Sequence, residues 1–254
     1  MQDEQLVYGV HPVEELLRAR SRPVEKVFFD RDRANGPLYP ILKECNRAKI
    51  PYQLVGQAKL RDLVGNAVHQ GVVAVCGLIS YTRIHELLSI AERRREAPLL
   101  LVADSVEDPH NLGAVIRTAL AAGVHGILLP RQGGAALTPA VAKASAGALE
   151  KMTIAKPDDI AAELANLKAK GFAVAGLESG ASKSYRAGHY SGPLVVVIGG
   201  EHKGIRPHIR RHCTDLYSIP IRSDVNSLNL SVAAGIFLFE VVDQRCRMSD
   251  PSAI

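Results

Sequence analysis

The chain has 254 residues, of which 47% are hydrophobic, and these can supply the cores of one large domain or two modest ones. Its net charge of +5 favours a polyanionic partner, although a basic cytosolic protein without such a partner fits the same charge. The four cysteines are widely spaced and form no Cys-x-x-Cys pair. This pattern argues against a disulfide framework and a cysteine zinc site, and it predicts reduced, mostly buried thiols.

The N-terminus and the hydropathy pattern predict a cytoplasmic protein. The first residues lack the basic and apolar regions of a signal peptide. No segment approaches the roughly 18 consecutive apolar residues that a membrane span needs. We therefore expect no membrane partner.

Residues 1–80 predict a small α/β domain. Proline in a first helical turn marks a helix start at His11-Pro12. Apolar periodicity predicts strands at 24–29, 52–55 and 71–76 and a helix at 38–48. Residues 81–98 carry several arginines and few large apolar side chains, so they predict a helical linker with a solvated basic face.

From residue 99 onward, the alternation of strands and helices is stronger. Apolar strands are predicted at 99–103, 126–129, 172–175, 194–198 and 216–219. Helical patterns lie between and after them, at 112–122, 140–148, 160–170, 205–211 and 232–245. Continuous apolar strands separated by helices are typical of a parallel sheet covered on both faces. This predicts a second domain at 99–248, with ligands at the carboxyl ends of its strands.

Three polar segments follow strands of this second domain. In the first, Asp104 ends a strand and a turn from Asp108 leads into a helix that Asn111 is well placed to cap. Arg117 lies six residues further along the same helix, somewhat less than two turns away. Asn111 and Arg117 are candidate site residues, and the alternative is a plain helix cap and a salt-bridge donor.

The second polar segment is rich in glycine. Gly199 and Gly200 allow close backbone approach, Glu201 lies in the turn, and Gly204 opens the next helix. The spacing Gly-Gly-x-x-x-Gly is neither the dinucleotide fingerprint nor a P-loop. Glu201 is a candidate to bind a ligand hydroxyl or an arginine, and a solvated turn glutamate is the alternative.

The third polar segment joins the strand at 216–219 to the last helix. Pro220 has no N–H for a further ladder, and Ser227 and Asn229 lie where a helix cap is expected. A loop that enters a helix N-terminus presents unpaired N–H groups to a ligand. Capping alone is the usual role of such residues and remains the alternative.

Taken in order, the three segments resemble the signature motifs of the SpoU/TrmH family of RNA 2′-O-ribose methyltransferases. The resemblance covers about residues 99–245, and residues 7–17 and 67–72 look like parts of the small, L30e-like substrate-binding domain of many members. It implies an α/β fold of the SPOUT type with a deep trefoil knot at the C-terminal end. It also implies S-adenosylmethionine as cofactor, bound at the knot, and a homodimer.

The resemblance implies methylation of an RNA ribose, most closely that of a guanosine in 23S rRNA. Arg117 would act on the 2′-hydroxyl, and four residues would position it and the RNA: Asn111, Glu201, Ser227 and Asn229. Family proposals make such an arginine a general base, but a guanidinium with a pKa above about 12 rarely loses its proton. We therefore expect Arg117 to orient the hydroxyl and to stabilise developing alkoxide charge.

The same resemblance implies a cofactor site built largely from backbone groups. Its residues are Leu177, Glu178, Gly180, Gly199, Gly200, Glu201, Gly204, Ile219, Ile221, Ser227, Leu228 and Asn229. No metal is expected, because His208 and His212 have helical spacing but no third ligand. The last helix carries an apolar stripe with Val232, Ile236, Phe237, Phe239 and Val242, which is either a dimer surface or a core face within one subunit.

Basic side chains are expected to contact RNA phosphates. The candidates are Arg18, Arg20, Arg22, Lys203, Arg206 and Arg210, and each is also explained as a solvated surface charge. His202 and Lys203 depart from the family pattern, which often has glycine or a small or acidic residue there, so we expect an altered RNA contact at this point and an unchanged cofactor backbone. The alternative functions are a tRNA or other rRNA methyltransferase of the same family and a non-catalytic ribosome-assembly factor, which the complete motifs argue against.

Overall fold

The structure, a computed structural model, describes residues 4–201, 203–222 and 227–249. These residues divide into two compact units. The first unit contains residues 4–80 and 136–151, and the second contains 81–135 and the described residues from 152 onward. None of the helices in the described ranges has the length and apolar character of a membrane span.

Strands and helices alternate along the chain. In chain order they are β1 (Glu4–Tyr8), α1 (Val10–Ala19), β2 (Val24–Asp30), α2 (Tyr39–Ala48), β3 (Tyr52–Val55), α3 (Gln57–Val64), β4 (Val72–Gly77), α4 (Ile84–Arg94), β5 (Leu99–Asp104), α5 (Pro109–Ala121), β6 (Gly126–Leu128), α6 (Pro139–Ala144), β7 (Ile154–Ala155), α7 (Ile160–Ala169), β8 (Ala173–Leu177), β9 (Lys183–Ser184), β10 (Leu194–Gly199), α8 (Pro207–Arg210), β11 (Asp215–Ser218) and α9 (Leu230–Ser249). The apolar runs thus predicted eight of these strands within one or two residues, because a buried strand needs an uninterrupted apolar stretch.

A four-stranded sheet of mixed direction organises the first unit. Its strand order is β1-β4-β2-β3, in which β4 runs antiparallel to both neighbours and β3 runs parallel to β2. Helix α1 contacts β1 and β4 and buries Val13, Leu16 and Leu17, whose spacing places them on one helix face. Strand β3 is left at an edge of the sheet.

Residues 136–151 complete this first unit, although the sequence predicts them in the second domain. Helix α6 contacts β1, and the side-chain amide of Gln5 donates to the carbonyl oxygen of Leu137 at 2.5 Å. The guanidinium of Arg22 donates to both carboxylate oxygens of Glu150, at 2.6 and 3.2 Å. The side chains of Arg22 and Glu150 are only 2% and 1% exposed.

The buried ion pair corrects one predicted RNA contact. Arg22 is too deeply buried to meet a phosphate, and its guanidinium also donates to the side-chain oxygen of Gln5. A cation at this depth requires a counter-charge, and Glu150 supplies it. Arg22 therefore holds residues 136–151 in the first unit and is removed from the RNA-binding set.

A parallel sheet of seven strands organises the second unit and confirms the predicted α/β class. Its order is β7-β6-β5-β10-β8-β11-β9, and every neighbouring pair is parallel. The central strands β5 and β10 are buried along their whole length. Burial on both faces is what the continuous apolar runs predict.

Helix α4 lies in the segment 81–98, which the sequence predicts as a linker. Leu87 on this helix is fully buried and belongs to the core cluster that contains Leu100 and Leu128. Thr82 forms a parallel bridge to β7. The contacts therefore group this segment with the second unit, while Arg93 and its neighbouring arginines stay exposed.

The carboxyl ends of β5, β10, β8 and β11 lie side by side in the parallel sheet. Gly199 at the end of β10 is in register with Asp104 at the end of β5, and Ile198 is in register with Leu177 at the end of β8. Because the strands are parallel, the segments that follow them leave the sheet at one edge. The three polar segments predicted from the sequence therefore meet there.

Removal of the Glu150 charge is expected to destabilise the first unit. The variant Glu150→Gln leaves Arg22 buried without a counter-charge, which typically lowers the free energy of unfolding by about 3–5 kcal/mol. Native-state hydrogen exchange of the amides in β1, β2 and β4 measures this loss. The control Glu14→Gln removes a partner of the exposed Arg18 and is expected to change little. Equal exchange in the two variants would contradict a role for the buried pair.

His125 is expected to make the second unit less stable in acid. Its Nδ1 accepts the N–H of Leu99 at 3.0 Å, so Nε2 carries the proton and donates to Glu96 at 3.0 Å. Burial lowers the pKa of His125 below its ordinary value of 6.5, against the opposing effect of Glu96. The unfolded chain then binds the proton more readily, so stability is present above pH 6.5 and is lost as the pH falls towards the folded-state pKa.

The variant His125→Gln is expected to flatten the loss of stability below pH 6.5. Urea unfolding of the two proteins at several pH values between about 5 and 7.5 measures the difference in slope. His85→Gln changes an exposed histidine on α4 and serves as the control. An unchanged acid slope in His125→Gln would show that other groups cause it.

Candidate active site

A cavity of about 360 Å³ lies at the carboxyl edge of the parallel sheet, where the segments after β8, β10 and β11 meet the start of α9. All residues predicted to bind the cofactor line it, except Gly180. The sequence reasoning missed four lining residues, which are Ser179, Ile198, Leu230 and Ala233. The first three adjoin predicted residues in the chain, and Ala233 lies one helical turn after Asn229, so extending each motif would have found them.

Glycine is required where the backbone after β10 turns along the cavity. A Cβ at Gly199 would overlap the backbone of Gly204 and Ile205, and a Cβ at Gly200 would overlap the carbonyl oxygen of Ser105. The N–H of Gly204 donates to the carbonyl oxygen of Gly200 at 2.9 Å, which closes the turn. The two adjacent glycines therefore allow a close contact between the segments that follow β5 and β10.

Asp104 and Arg206 join these same two segments. Oδ1 of Asp104 accepts from Nε and Nη2 of Arg206, at 2.7 and 2.6 Å, and Oδ2 accepts the backbone N–H of Arg206 at 2.8 Å. The Asp104 side chain is fully buried. Three hydrogen bonds to one buried carboxylate are directional and charge-assisted, so they hold the turn after β10 against β5. Asp104 thus engages Nε and Nη2 of Arg206 while 28% of the arginine side chain stays exposed, so an RNA contact by Arg206 remains a prediction.

Asn111, Glu201 and Asn229 come from three different predicted motifs and meet at the cavity. The Asn111 amide donates to Oε1 of Glu201 at 2.7 Å. The Asn229 amide donates to the Asn111 side-chain oxygen at 3.0 Å and to Oε1 of Glu201 at 3.3 Å. A carboxylate only accepts hydrogen bonds, so Glu201 fixes the orientation of both amides. No group in the described ranges donates to Oε2 of Glu201, which leaves that oxygen for a ligand.

Asn229 is also the cap of α9. Its side-chain oxygen accepts from the N–H groups of Ser231 and Val232, at 3.0 and 3.4 Å, and from the Ser231 hydroxyl at 2.6 Å. The cap therefore occupies N–H groups that the sequence analysis expected to face a ligand. Capping and membership of the three-residue network are not alternatives here, because Asn229 uses its oxygen for one and its NH₂ for the other.

The sequence predicts Asn111 as the cap of α5, but in the structure Asn111 does not cap this helix. The cap is Asp108, whose carboxylate accepts the N–H groups of His110 and Asn111. Pro109 occupies the first helical position, which suits a residue without an N–H. The helix therefore begins earlier than expected, and the Asn111 side chain is left to bind Glu201.

Arg117 lies on the same helix as Asn111, about 9 Å further along its axis. Its side chain is exposed and does not line the cavity. The described residues give it no hydrogen bond and no ion pair. The structure thus does not bring Arg117 into contact with the network of Asn111, Glu201 and Asn229, but it leaves a free guanidinium on the helix that carries one of them.

Two predicted RNA-contact cations lie beside the cavity in ion pairs. Lys203 bonds Glu107 at 3.0 Å, and Arg210 bonds Glu178 at 2.8 Å. All four side chains are at least 29% exposed. Such solvated pairs contribute little stability, so an incoming polyanion can compete for both cations.

The two remaining RNA-contact candidates belong to the first unit. Arg18 bonds Glu14 on its own helix at 2.6 Å, and its side chain is 62% exposed. Arg20 is exposed and follows the last residue of α1. Both stay available to a phosphate.

Helix α9 combines a core face with an exposed apolar face. Phe237 is fully buried, and its ring centroid lies 5.1 Å from that of Tyr190 and 6.0 Å from that of Tyr217. Burial raises the pKa of both tyrosines, so they pack as neutral side chains. Val232 and Phe239 are 50% and 49% exposed. The apolar stripe is therefore a core face in part and leaves a second apolar surface.

In the described part of the chain, no group of three or more His, Cys, Asp or Glu side chains is arranged to hold a metal ion. Helix α8 ends at Arg210, so His208 and His212 do not lie on one continuous helix as their spacing suggests. The departure noted at His202 lies outside the described residues. Residues 223–226 of the third motif lie outside them as well.

Two family models match the chain and together cover most of it. The model of the SpoU rRNA Methylase family matches residues 98–239. The model of the RNA 2′-O ribose methyltransferase substrate-binding domain matches residues 6–82. The first match contains all three motifs that meet at the cavity.

Similar proteins share nearly the full length of the chain. The 23S rRNA (guanosine-2′-O-)-methyltransferase RlmB of Pseudomonas putida is 38% identical and covers 94% of this chain and 96% of its own. The putative TrmH family tRNA/rRNA methyltransferase YacO of Bacillus subtilis is 36% identical and covers 96% and 97%. The fold is shared by the SpoU methyltransferase AviRb from Streptomyces viridochromogenes, whose structure was solved in complex with AdoMet. The TM-score is 0.81 at 24% identity, and the match covers 96% of this chain and 91% of AviRb. The chain belongs to the SpoU rRNA methylase family.

Proposed function

We propose that this protein transfers a methyl group from S-adenosylmethionine to a ribose 2′-hydroxyl of RNA, with a guanosine of 23S rRNA as its substrate. The observation that carries the proposal is the hydrogen-bonded network of Asn111, Glu201 and Asn229 at the edge of a glycine-lined cavity. Family membership and the matched substrate-binding domain support RNA as the substrate. The full-length similarity to RlmB supports 23S rRNA and guanosine.

The cavity suits S-adenosylmethionine by its shape and chemistry. Apolar side chains such as Leu177, Ile198 and Ile219 can enclose an adenine ring, and the peptide groups beside Gly199 and Gly200 can bond its edge. Glu178 and Glu201 add carboxylates that can accept ribose hydroxyl groups or face a positive charge. When bound, the cofactor supplies a methyl group activated by a sulfonium, so the protein's main task is alignment.

The side chains divide this task between holding and orienting. Asn111 and Asn229 hold Glu201 in one position, which keeps the rim of the cavity rigid before the RNA arrives. Arg117 is proposed to orient the 2′-hydroxyl and to stabilise the charge that develops on its oxygen. Its exposure and lack of a partner in the described residues support this role, because the guanidinium is free to meet an anionic ligand.

The knot, the dimer and the cytoplasmic location are further parts of the proposal. The strand order and the packing of α9 against α5 and β10 are compatible with a C-terminal knot. Half-exposed Val232 and Phe239 on α9 offer an apolar surface to a second subunit. The rRNA substrate of the RlmB relatives supports the location.

The function is tested by mapping 2′-O-methylation in 23S rRNA from cells with and without the gene. One ribose methyl group is expected to disappear, and purified protein with S-adenosylmethionine is expected to restore it on rRNA from the deficient cells. If no methyl group is lost and none is restored, the proposed function is wrong. Loss of a methyl group from tRNA instead would assign the protein to a different substrate within the same family.

Arg117→Lys is expected to lower turnover by roughly 10²–10³-fold, in the range found when one group that stabilises transition-state charge is removed. Lysine keeps the charge but lacks the planar fork of the guanidinium. Cofactor affinity is expected to stay normal because Arg117 does not line the cavity. Single-turnover methylation assays and calorimetric titration with S-adenosylmethionine measure the two quantities.

The control for this variant is Arg94→Lys, which changes an exposed arginine on α4. It is expected to leave both turnover and cofactor affinity unchanged. Near-normal turnover of Arg117→Lys would count against the proposed role of the guanidinium. A large loss of cofactor affinity would place Arg117 in the cofactor site instead.

A further inference from the structure

Strand β3 forms an open edge of the first unit. Among the residues that the structure describes, the strand order gives it β2 as its neighbour on one side and no strand on the other. The N–H of Arg31 donates to the carbonyl oxygen of Val55, which ties the end of β3 to the segment after β2. The peptide groups of successive residues in a strand face opposite sides. Because the peptide oxygen of Val55 faces β2, the peptide groups of Leu54 and Tyr52 point away from β2.

Two apolar side chains are exposed along this edge. Tyr52 is 38% exposed and Leu54 is 39% exposed, and their spacing of two residues places both on one face of the strand. The ring of Tyr52 is supported from inside by Phe29, which is fully buried. The two ring centroids lie 5.9 Å apart in an edge-to-face arrangement with an interplanar angle of 87°. This packing holds the tyrosine at the surface in a defined orientation.

Cations flank the exposed pair. Lys49 follows the last residue of α2, shortly before the strand, and Arg31 lies beside the strand's far end. Both are exposed, and the described residues provide neither with an ion pair. Asp30 and Asp32 flank Arg31 in the chain, and Asp30 accepts the N–H of Asp32 instead of binding the guanidinium. The edge therefore combines an exposed aromatic ring with two exposed cations that form no ion pair with any described residue.

We propose that this edge binds a single-stranded segment of the substrate RNA. The β3 edge surface, defined as Arg31, Lys49, Tyr52 and Leu54, stacks a base on Tyr52 and places phosphates beside the two cations. Base stacking on an aromatic side chain with neighbouring cations is the usual recognition of single-stranded RNA. A peptide strand would use the free backbone edge but would leave both cations without a counter-charge. The inference rests on the proposed function and adds contact residues to it.

Binding of a fluorescein-labelled RNA hairpin with a single-stranded loop tests the stacking contact in the full-length protein. Tyr52→Ala is expected to weaken binding by roughly tenfold, the loss typical of one stacked base. Tyr52→Phe keeps the ring and is expected to bind normally. Tyr81→Ala removes a tyrosine of similar exposure in the second unit and is the matched control, with no expected loss.

Salt titration tests the phosphate contacts. Arg31→Gln and Lys49→Gln are each expected to reduce the slope of log affinity against log salt by roughly 0.7, since each removes one contact to a single strand. Circular dichroism and calorimetric titration with S-adenosylmethionine check that every variant is folded with an intact cofactor site. Unchanged affinity in Tyr52→Ala, or unchanged slopes in both charge variants, would overturn the inference and leave strand addition by a peptide as the alternative use of this edge.

Failure of the inference and failure of the proposed function give different results. Normal methylation and normal RNA affinity in Tyr52→Ala would overturn the β3 edge surface and leave the enzymatic function intact. RNA binding that depends on Tyr52, in a protein that methylates no RNA, would support the surface and overturn the function. Equal loss in Tyr52→Phe and Tyr52→Ala would indicate a hydroxyl contact and overturn the stacking.

Discussion

The close approach of the turn after β10 to the end of β5 is the constraint on which the site depends. The turn fits because Gly200 has no side chain and can lie against the carbonyl oxygen of Ser105. The buried carboxylate of Asp104 then holds Arg206 through three hydrogen bonds. With the turn held in this way, Glu201 lies within hydrogen-bond distance of Asn111, which lies in the first turn of α5. Cavity and network are therefore two results of one backbone contact.

Two buried carboxylates perform similar tasks in the two units. Asp104 binds Arg206, and Glu150 binds Arg22, and each pair joins segments more than a hundred residues apart. Both arginines are predicted as RNA contacts because the sequence shows which side chains are charged but not which of them bind a buried carboxylate. Fewer lysine and arginine side chains are therefore available to RNA phosphates than the composition suggests. RNA binding must depend mainly on those that remain exposed.

Prediction from the sequence succeeds where one local property decides the structure. Uninterrupted apolar runs identify β5 and β10 because both strands are buried on both faces. The strands β7 and β9 have two residues each and leave no such pattern. The cap of α5 was missed because Asp108 and Asn111 are both good capping residues, and the proline between them decides in favour of Asp108. The cavity follows from the family motifs, whereas the partners of Arg22 and Arg206 depend on contacts that no local pattern displays.

The placement of residues 136–151 also sets the order in which this protein is completed on the ribosome. Synthesis proceeds from the N-terminus, and Arg22 is made long before Glu150, its partner 128 residues later. The first unit therefore cannot close its buried ion pair until β5, α5 and β6 of the second unit have already been synthesised. The N-terminal unit is therefore completed only after part of the second unit has been made, although its last residue still precedes β8, β10, β11 and α9 of the second unit.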